Sequence, residues 1–164
     1  MNDKINLVIS KVITETIEKL VFMFASPHQA ENSHEEDPDI EVSVSFSGPF
    51  SGTLGMKVSR EVLLEISVNM LGVDNEDEIS SEDQSDALKE TINVFCGNIL
   101  PIIGGKEAVF NIDAPEIVSD GEDIKVKEGE ILVSSVKLSL DEGRCDLVLF
   151  VKGEIPEVDE SLIE

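Results

Sequence analysis

The sequence has 164 residues, enough for one domain whose hydrophobic core needs neither a metal nor a disulfide. Its 35 Asp and Glu residues against 12 Lys and Arg residues give a formal net charge of -23, which argues against nucleic acids and anionic membrane surfaces as partners. We find no apolar segment of membrane-spanning length and no signal for secretion, so we expect a cytoplasmic protein.

The residue types that bind metals or act as nucleophiles are few and scattered. Cys96 and Cys145 lack the spacing of a zinc site, and we expect both to be reduced thiols. His28 and His34 fall in a polar segment, Ser26 to Asp39, whose composition is typical of a loop, and surface positions are favoured over metal binding or catalysis. Phosphate-binding, dinucleotide-binding and nucleophile-elbow motifs are absent. The sequence therefore predicts no metal site and no nucleophile of its own.

The first half of the chain predicts two helices on either side of a β-hairpin. Apolar residues recur at helical spacing in the first of these segments. A segment that alternates apolar and polar residues follows, and after a Gly-Pro turn the chain returns as a second strand, which completes a hairpin. A serine suited to an N-cap then begins a second helix, which a glycine ends. The predicted elements are a helix over residues 3–24, strands from Ile40 to Phe46 and from Phe50 to Val58, and a helix from Arg60 to Leu71 capped by Ser59.

The segment from Ser81 to Gly105 predicts a central helix of about five turns. One stripe of this helix is apolar and should face the core; it consists of Leu88, Ile92, Phe95, Ile99 and either Ile102 or Ile103. The opposite stripe consists of Asp86, Glu90, Asn93 and Gly97. A carboxylate and an amide three residues apart, next to a position without a side chain, suggest a surface that another molecule approaches closely. An E-x-x-N pair is expected about once by chance in such a composition, so a solvated helix face without function is the alternative.

The rest of the chain predicts short strands and an acidic tail. Pro101 cannot donate to the carbonyl oxygen of Gly97, which predicts a kink in the last turn of the central helix. The strands are predicted at Ala108 to Ile112, Glu116 to Val118, Ile124 to Val126, Ile131 to Leu140 and Cys145 to Val151. We expect one domain over residues 1–152 and a frayed tail over residues 153–164. The order of elements predicts an α+β fold, a largely antiparallel sheet with helices packed on one face.

From Asp86 to Asn98 the central helix combines the Glu-x-x-Asn pair with a Gly-Asn pair. This segment resembles the signature helix of the CheX branch of the CheC/CheX/FliY family of chemotaxis phosphatases. The glycine-containing hairpin around Phe46 to Gly52 and the segment from Asn111 to Val118 are also similar to that family. The resemblance extends from the first helix to about Lys152. A single E-x-x-N pair matches the one-site CheX pattern better than the two-site CheC pattern.

The resemblance implies hydrolysis of the aspartyl phosphate on a CheY-like response regulator. It implies that Asn93 orients the attacking water and that Glu90 contacts the active-site lysine of the regulator. Asp86 and Gly97 share the same helix face, and we expect them in the partner interface. These residue types suit the roles, because an amide both donates and accepts hydrogen bonds and a carboxylate pairs with an ammonium group. A divalent metal such as Mg²⁺ and the phosphorylated aspartate would belong to the regulator, so no cofactor is implied in this chain.

The resemblance also implies a homodimer that pairs through sheet edges, and it suggests Ile131 to Leu140 as the edge strand. Pro101 departs from the family pattern, in which the signature helix usually continues. The same fold serves in flagellar switch proteins that bind regulators or each other without catalysis. A non-catalytic binding or structural module is therefore the alternative, and a domain that only sequesters the phosphorylated regulator is a third possibility.

Overall fold

The computed structural model describes residues 3–20, 25–27, 39–72, 79–118, 122–140 and 143–156. In this part of the chain three helices pack on one face of a seven-stranded antiparallel sheet, which confirms the predicted fold class. The helices are α1 (Asp3–Leu20), α2 (Arg60–Leu71) and α3 (Ser81–Gly104). The strands are β1 (Ala25–Pro27), β2 (Asp39–Ser47), β3 (Ser51–Ser59), β4 (Asn111–Ile112), β5 (Glu116–Val118), β6 (Ile131–Leu140) and β7 (Gly143–Lys152). None of the described helices is both long enough and apolar enough to cross a membrane.

The strands follow the order β1-β6-β7-β3-β2-β4, and β5 also pairs with β2. The predicted hairpin is confirmed, with Ile40 opposite Val58 and Phe46 opposite Gly52. β7 lies in the middle of the sheet, where it pairs with β3 on one side and β6 on the other. One end of β6 is covered by β1, since Pro27 pairs with Leu138, so the prediction of an edge strand is wrong at that end.

A single apolar core lies between the sheet and the helices. β7 buries every second residue because only one face of the sheet meets the helices, whereas β3 is buried at nearly every position. The predicted apolar stripe of α3 forms the middle of this core and is confirmed, with every member at most 1% exposed: Leu88, Ile92, Phe95, Ile99 and Ile103. Ile102 is only half-buried, so Ile103 is the residue that faces the core at that turn.

A capping box fixes the start of α3. The side-chain hydroxyl of Ser80 accepts a hydrogen bond from the backbone N–H of Asp83 at 3.0 Å, and the backbone N–H of Ser80 donates to the Asp83 carboxylate at 3.1 Å. Two backbone donors that the helix itself cannot satisfy are thereby paired. Ser59 does occupy the N-cap position of α2, but its hydroxyl forms no capping bond. It accepts instead from the backbone N–H of Arg144 at 3.2 Å, which ties the start of α2 to β7.

Residues 122–130 cross the outer face of the sheet, the face opposite the helices, and the predicted strand from Ile124 to Val126 is wrong. The side chain of Ile124 lies directly over Gly55 of β3, where a Cβ atom would come within 2.1 Å of the Ile124 Cδ1 atom. Thr53 donates to the Glu130 carboxylate at 3.0 Å, and the backbone N–H of Lys127 donates to the same oxygen at 2.8 Å. The segment therefore packs on the sheet and does not extend it.

The other differences concern the bounds of elements. The predicted strand Ala108 to Ile112 is reduced to β4, because Ala108 donates to the Gly105 carbonyl in a turn and the Phe110 ring stacks edge-on against Phe50 with centroids 5.1 Å apart. β1 was not predicted, and β7 begins two residues earlier than expected. Residues 21–24, both histidines and residues 157–164 lie outside the described residues. Ile155 packs against the core, and the division at residue 152 stays a prediction.

Candidate functional site

The outward stripe of α3 brings the four predicted site residues together. We call Asp86, Glu90, Asn93 and Gly97 the site stripe. Asp86, Glu90 and Gly97 are exposed, whereas Asn93 is half-buried. Their common face follows from helical spacing, because steps of four, three and four residues return close to the same angle around the axis. Pro101, one turn beyond Gly97, is exposed on the same side.

The amide of Asn93 is not used to hold the fold together. Its Oδ1 atom is buried and has no hydrogen-bond partner in the part of the chain that the structure describes. An unsatisfied buried polar atom costs about 1–3 kcal/mol, and such atoms in native proteins often serve a function. Asn98 on the same helix differs, because its Nδ2 atom donates to the Thr16 hydroxyl of α1 at 3.2 Å. Among the described residues, the amide of Asn98 is thus tied to another helix, whereas Asn93 keeps a buried amide oxygen without a partner.

Glu90 presents a carboxylate to solvent one turn before Asn93. It is exposed, and it forms no hydrogen bond or ion pair with any other described residue. Because no cation of the described residues neutralises it, the carboxylate is available to an ammonium or guanidinium group of another molecule. Asp86 extends the same negative charge by one further turn.

Gly97 has no structural reason to be a glycine within the described residues. It lies inside α3, its φ is not positive, and a Cβ atom placed on it would meet nothing within 4 Å. A glycine inside a helix costs about 1 kcal/mol relative to alanine. Gly104 is different, because a Cβ atom there would come within 2.6 Å of the Phe110 ring. Packing among the described residues therefore does not account for this glycine.

A groove of about 470 Å³ runs between α1 and α3 beside the site stripe. Val94 and Asn98, which line it, directly follow Asn93 and Gly97 in the sequence. The remaining lining residues are Val12, Glu15, Thr16, Lys19 and Ile102. Sequence reasoning missed this groove, because no pattern in either helix indicates which faces of α1 and α3 meet.

The cysteines offer no nucleophile at neutral pH. Burial raises the pKa of the Cys96 thiol to about 12, so the thiol stays protonated although it neighbours Gly97 in the sequence. Burial also raises the pKa of the Cys145 thiol, and the charge of Asp146 adds to the effect. Within the described ranges no three His, Cys, Asp or Glu side chains are grouped so that they could hold a metal. The chemistry that the site stripe offers is therefore hydrogen bonding and charge pairing.

A comparison with models of protein families shows to which family the chain belongs. The model of the family described as chemotaxis phosphatase CheX matches residues 40–135, a range that runs from the second residue of β2 to the middle of β6 and includes all of α3. The chain belongs to the CheX family. The match includes the whole site stripe, and it confirms the family resemblance that the central helix suggested. A search of curated proteins finds no match to the chain.

Solved CheX structures share the fold. The chain is 17% identical to chemotaxis protein CheX from Desulfovibrio desulfuricans, with a TM-score of 0.72 over 91% of this chain and 99% of that one. It is 19% identical to CheX from Vibrio vulnificus, with a TM-score of 0.70 over 92% and 97% of the two chains. A CheX–CheY–BeF₃–Mg²⁺ complex from Borrelia burgdorferi is also similar, at 16% identity and a TM-score of 0.60 over 89% and 96%. At these identities the likeness shows the CheX fold alone.

Proposed function

We propose that this CheX-family protein is a cytoplasmic phosphatase that accelerates hydrolysis of the aspartyl phosphate of a CheY-like response regulator. The observation that carries the proposal is the Asn93 amide, whose oxygen has no partner among the described residues, between the unpaired carboxylate of Glu90 and the bare surface of Gly97. Family membership supports it, as does the Borrelia burgdorferi relative whose structure is a complex with CheY.

In the proposed reaction a water oxygen attacks the phosphorus in line with the bond to the aspartyl oxygen. That bond breaks, the aspartate carboxylate leaves, and the proton of the water passes to the phosphate or to solvent. In the proposed complex the Asn93 side chain turns towards the regulator. Its amide oxygen then accepts a hydrogen bond from the attacking water and Nδ2 donates to a neighbouring oxygen, so the amide orients the water without taking its proton. Orientation alone lowers the barrier substantially, because phosphoryl transfer depends mainly on positioning and charge stabilisation.

Glu90 and the regulator complete the proposed site. Glu90 pairs with the active-site lysine of the regulator and so fixes the complex in the register that Asn93 needs. The site stripe has only two carboxylates, a full turn apart at Asp86 and Glu90, which does not fit a metal site in this chain. A divalent metal such as Mg²⁺, held by the regulator, would neutralise charge on the phosphoryl oxygens.

Turnover separates this proposal from the non-catalytic alternative. Phosphate release from a phosphorylated CheY-like regulator is measured with this protein at one tenth of the regulator concentration. We expect release to be faster than in buffer and each protein molecule to act on several regulators. A sequestering or structural module would form the complex, yet it would not accelerate release at any ratio of the two proteins.

Replacing Glu90 by glutamine keeps the shape of the side chain and removes its charge. A hydrogen bond to a charged group contributes about 1.5–3 kcal/mol, so we expect KM for the phosphorylated regulator to rise about 10-fold or more, with a smaller change in kcat. The matched control is Glu61→Gln on α2, which changes the net charge equally at another exposed position. Equal effects of the two variants would mean that Glu90 acts through the overall charge and makes no specific contact.

A homodimer through sheet edges is also proposed. In the described part of the chain the outer edge of β6 has no backbone partner from Ile131 to Lys137, and Ile131 and Leu132 on this stretch are exposed. Such an edge pairs readily with a second copy of itself. We expect sedimentation equilibrium to give twice the chain mass of 17.9 kDa. A monomer mass at micromolar concentration would contradict the proposal.

A further inference from the structure

Pro101 interrupts the backbone hydrogen bonding of α3 next to the site stripe. Proline has no N–H, so Pro101 cannot donate to the carbonyl oxygen of Gly97, which is four residues earlier. The helix nevertheless continues to Gly104, where the Gly105 N–H donates to the Pro101 carbonyl at 3.1 Å. The missing bond is therefore internal to the helix, and the Gly97 carbonyl lacks its regular helical donor.

The residues around this carbonyl lie at the surface. Gly97 and Pro101 are both exposed, and no side chain on Gly97 covers its own backbone. A proline ring also presses against the carbonyl four residues before it, which tilts that group away from the helix axis. Outside regular helices and strands, none of the backbone hydrogen bonds of the described residues ends on the Gly97 oxygen.

Glycine and proline are the two residues least suited to a helix interior. Here they lie four residues apart on the exposed side of the helix that carries Asn93, and a Cβ atom on Gly97 would have open space. Packing within the described part of the chain does not account for the pair. Together they present a backbone acceptor about 6 Å along the helix axis from Asn93.

We propose that the carbonyl oxygen of Gly97 is a docking contact that accepts a hydrogen bond from an N–H or O–H group of the response regulator, next to its phosphorylated aspartate. The proposal rests on the proposed function and adds a contact to the same site. A contact one turn beyond Asn93 limits rotation of the regulator about α3. It therefore helps to hold the Asn93 amide in line with the phosphorus.

The variant Pro101→Ala tests the contact, because alanine restores the N–H and with it the internal hydrogen bond to Gly97. We expect a higher Tm than wild type, because an unfavourable residue is removed from the helix. Affinity for the regulator loaded with beryllofluoride, a mimic of the aspartyl phosphate, should fall about 2- to 10-fold, the range for loss of one hydrogen bond. The loss should appear in KM and not in kcat, whereas a change in helix bend would displace Asn93 and lower kcat.

A direct readout is the carbonyl ¹³C resonance of Gly97 in the wild-type protein, which moves downfield when its oxygen accepts a hydrogen bond. The carbonyl of Asn98, whose donor Ile102 keeps its N–H, is the internal control. We expect the regulator to shift the Gly97 resonance more than that of Asn98. Unchanged affinity of Pro101→Ala, a loss confined to kcat, or no selective shift would overturn this inference while wild-type turnover still supports the phosphatase. Absence of both binding and turnover by wild type would overturn both proposals.

Discussion

Replacement of Asn93 by alanine is expected to reduce the acceleration of phosphate release at least about 100-fold, while the complex with the regulator still forms. The amide orients water only when the phosphoryl group is in place, so its removal should lower kcat and leave KM nearly unchanged. Loss of one positioned polar group in an active site commonly costs about 100- to 1,000-fold in rate. The measurement is single-turnover phosphate release with saturating protein, together with affinity for the beryllofluoride-loaded regulator.

Asn98→Ala is the matched control for this experiment. It removes the same side chain from the same helix, but that amide donates to Thr16 of α1 and belongs to the fold. We expect Asn98→Ala to lower the free energy of unfolding by about 1 kcal/mol and to change the saturated rate by no more than a few-fold. If Asn93→Ala kept the full rate, or if both variants lost it equally, Asn93 would have no specific role in orienting water.

The second large effect is expected at Gly97, where stability and docking should change in opposite directions. Gly97→Ala should raise the free energy of unfolding by about 1 kcal/mol, because the helix gains a better former and the added methyl group has open space. The same methyl group should weaken regulator binding, and Gly97→Leu should weaken it about 100-fold or more, because the larger side chain holds the partner away from α3. Urea denaturation and titration of the loaded regulator give the two quantities.

Ser81→Leu provides the comparison, since it places the same leucine side chain at the exposed first residue of α3, away from Asn93. We expect this variant to bind the regulator like wild type. Binding by Gly97→Leu that equals binding by Ser81→Leu would show that the partner does not approach Gly97, and the docking face would have to lie elsewhere.

The sequence predicts the site stripe because a helix has one period and the stripe depends on nothing else. The capping residues and the apolar residues of α3 agree on its register, so Glu90, Asn93 and Gly97 had to share a face. The burial and the hydrogen-bond partners of each side chain do not follow from helical spacing. The buried, unpartnered oxygen of Asn93 and the contact between Asn98 and Thr16, which are 82 residues apart in the sequence, depend on how three helices meet. No local pattern contains that information.

Some of the strands also follow from local sequence patterns, whereas others depend on tertiary packing. The sequence predicts β2 and β6 because alternation marks a strand with one buried face, and it predicts β3 because a Gly-Pro turn returns the chain after β2. Alternation at Ile124 to Val126 has a different origin, since Ile124 fills the space over Gly55 and the segment has no strand partner. β1 has only three residues and contains a proline, too short a segment for any periodicity to indicate.

The central position of β7 has a consequence for how the protein is made. β3 and β6 are joined only through β7, whose residues leave the ribosome after all the other described strands. Until then both strands keep an open edge, and α3 lies on a sheet divided into two parts. A chain that stops before Gly143 would contain the complete site stripe without its support, and its unpaired edges would favour aggregation. We therefore expect the site to be assembled late in folding, although the residues that form it are synthesised before β7.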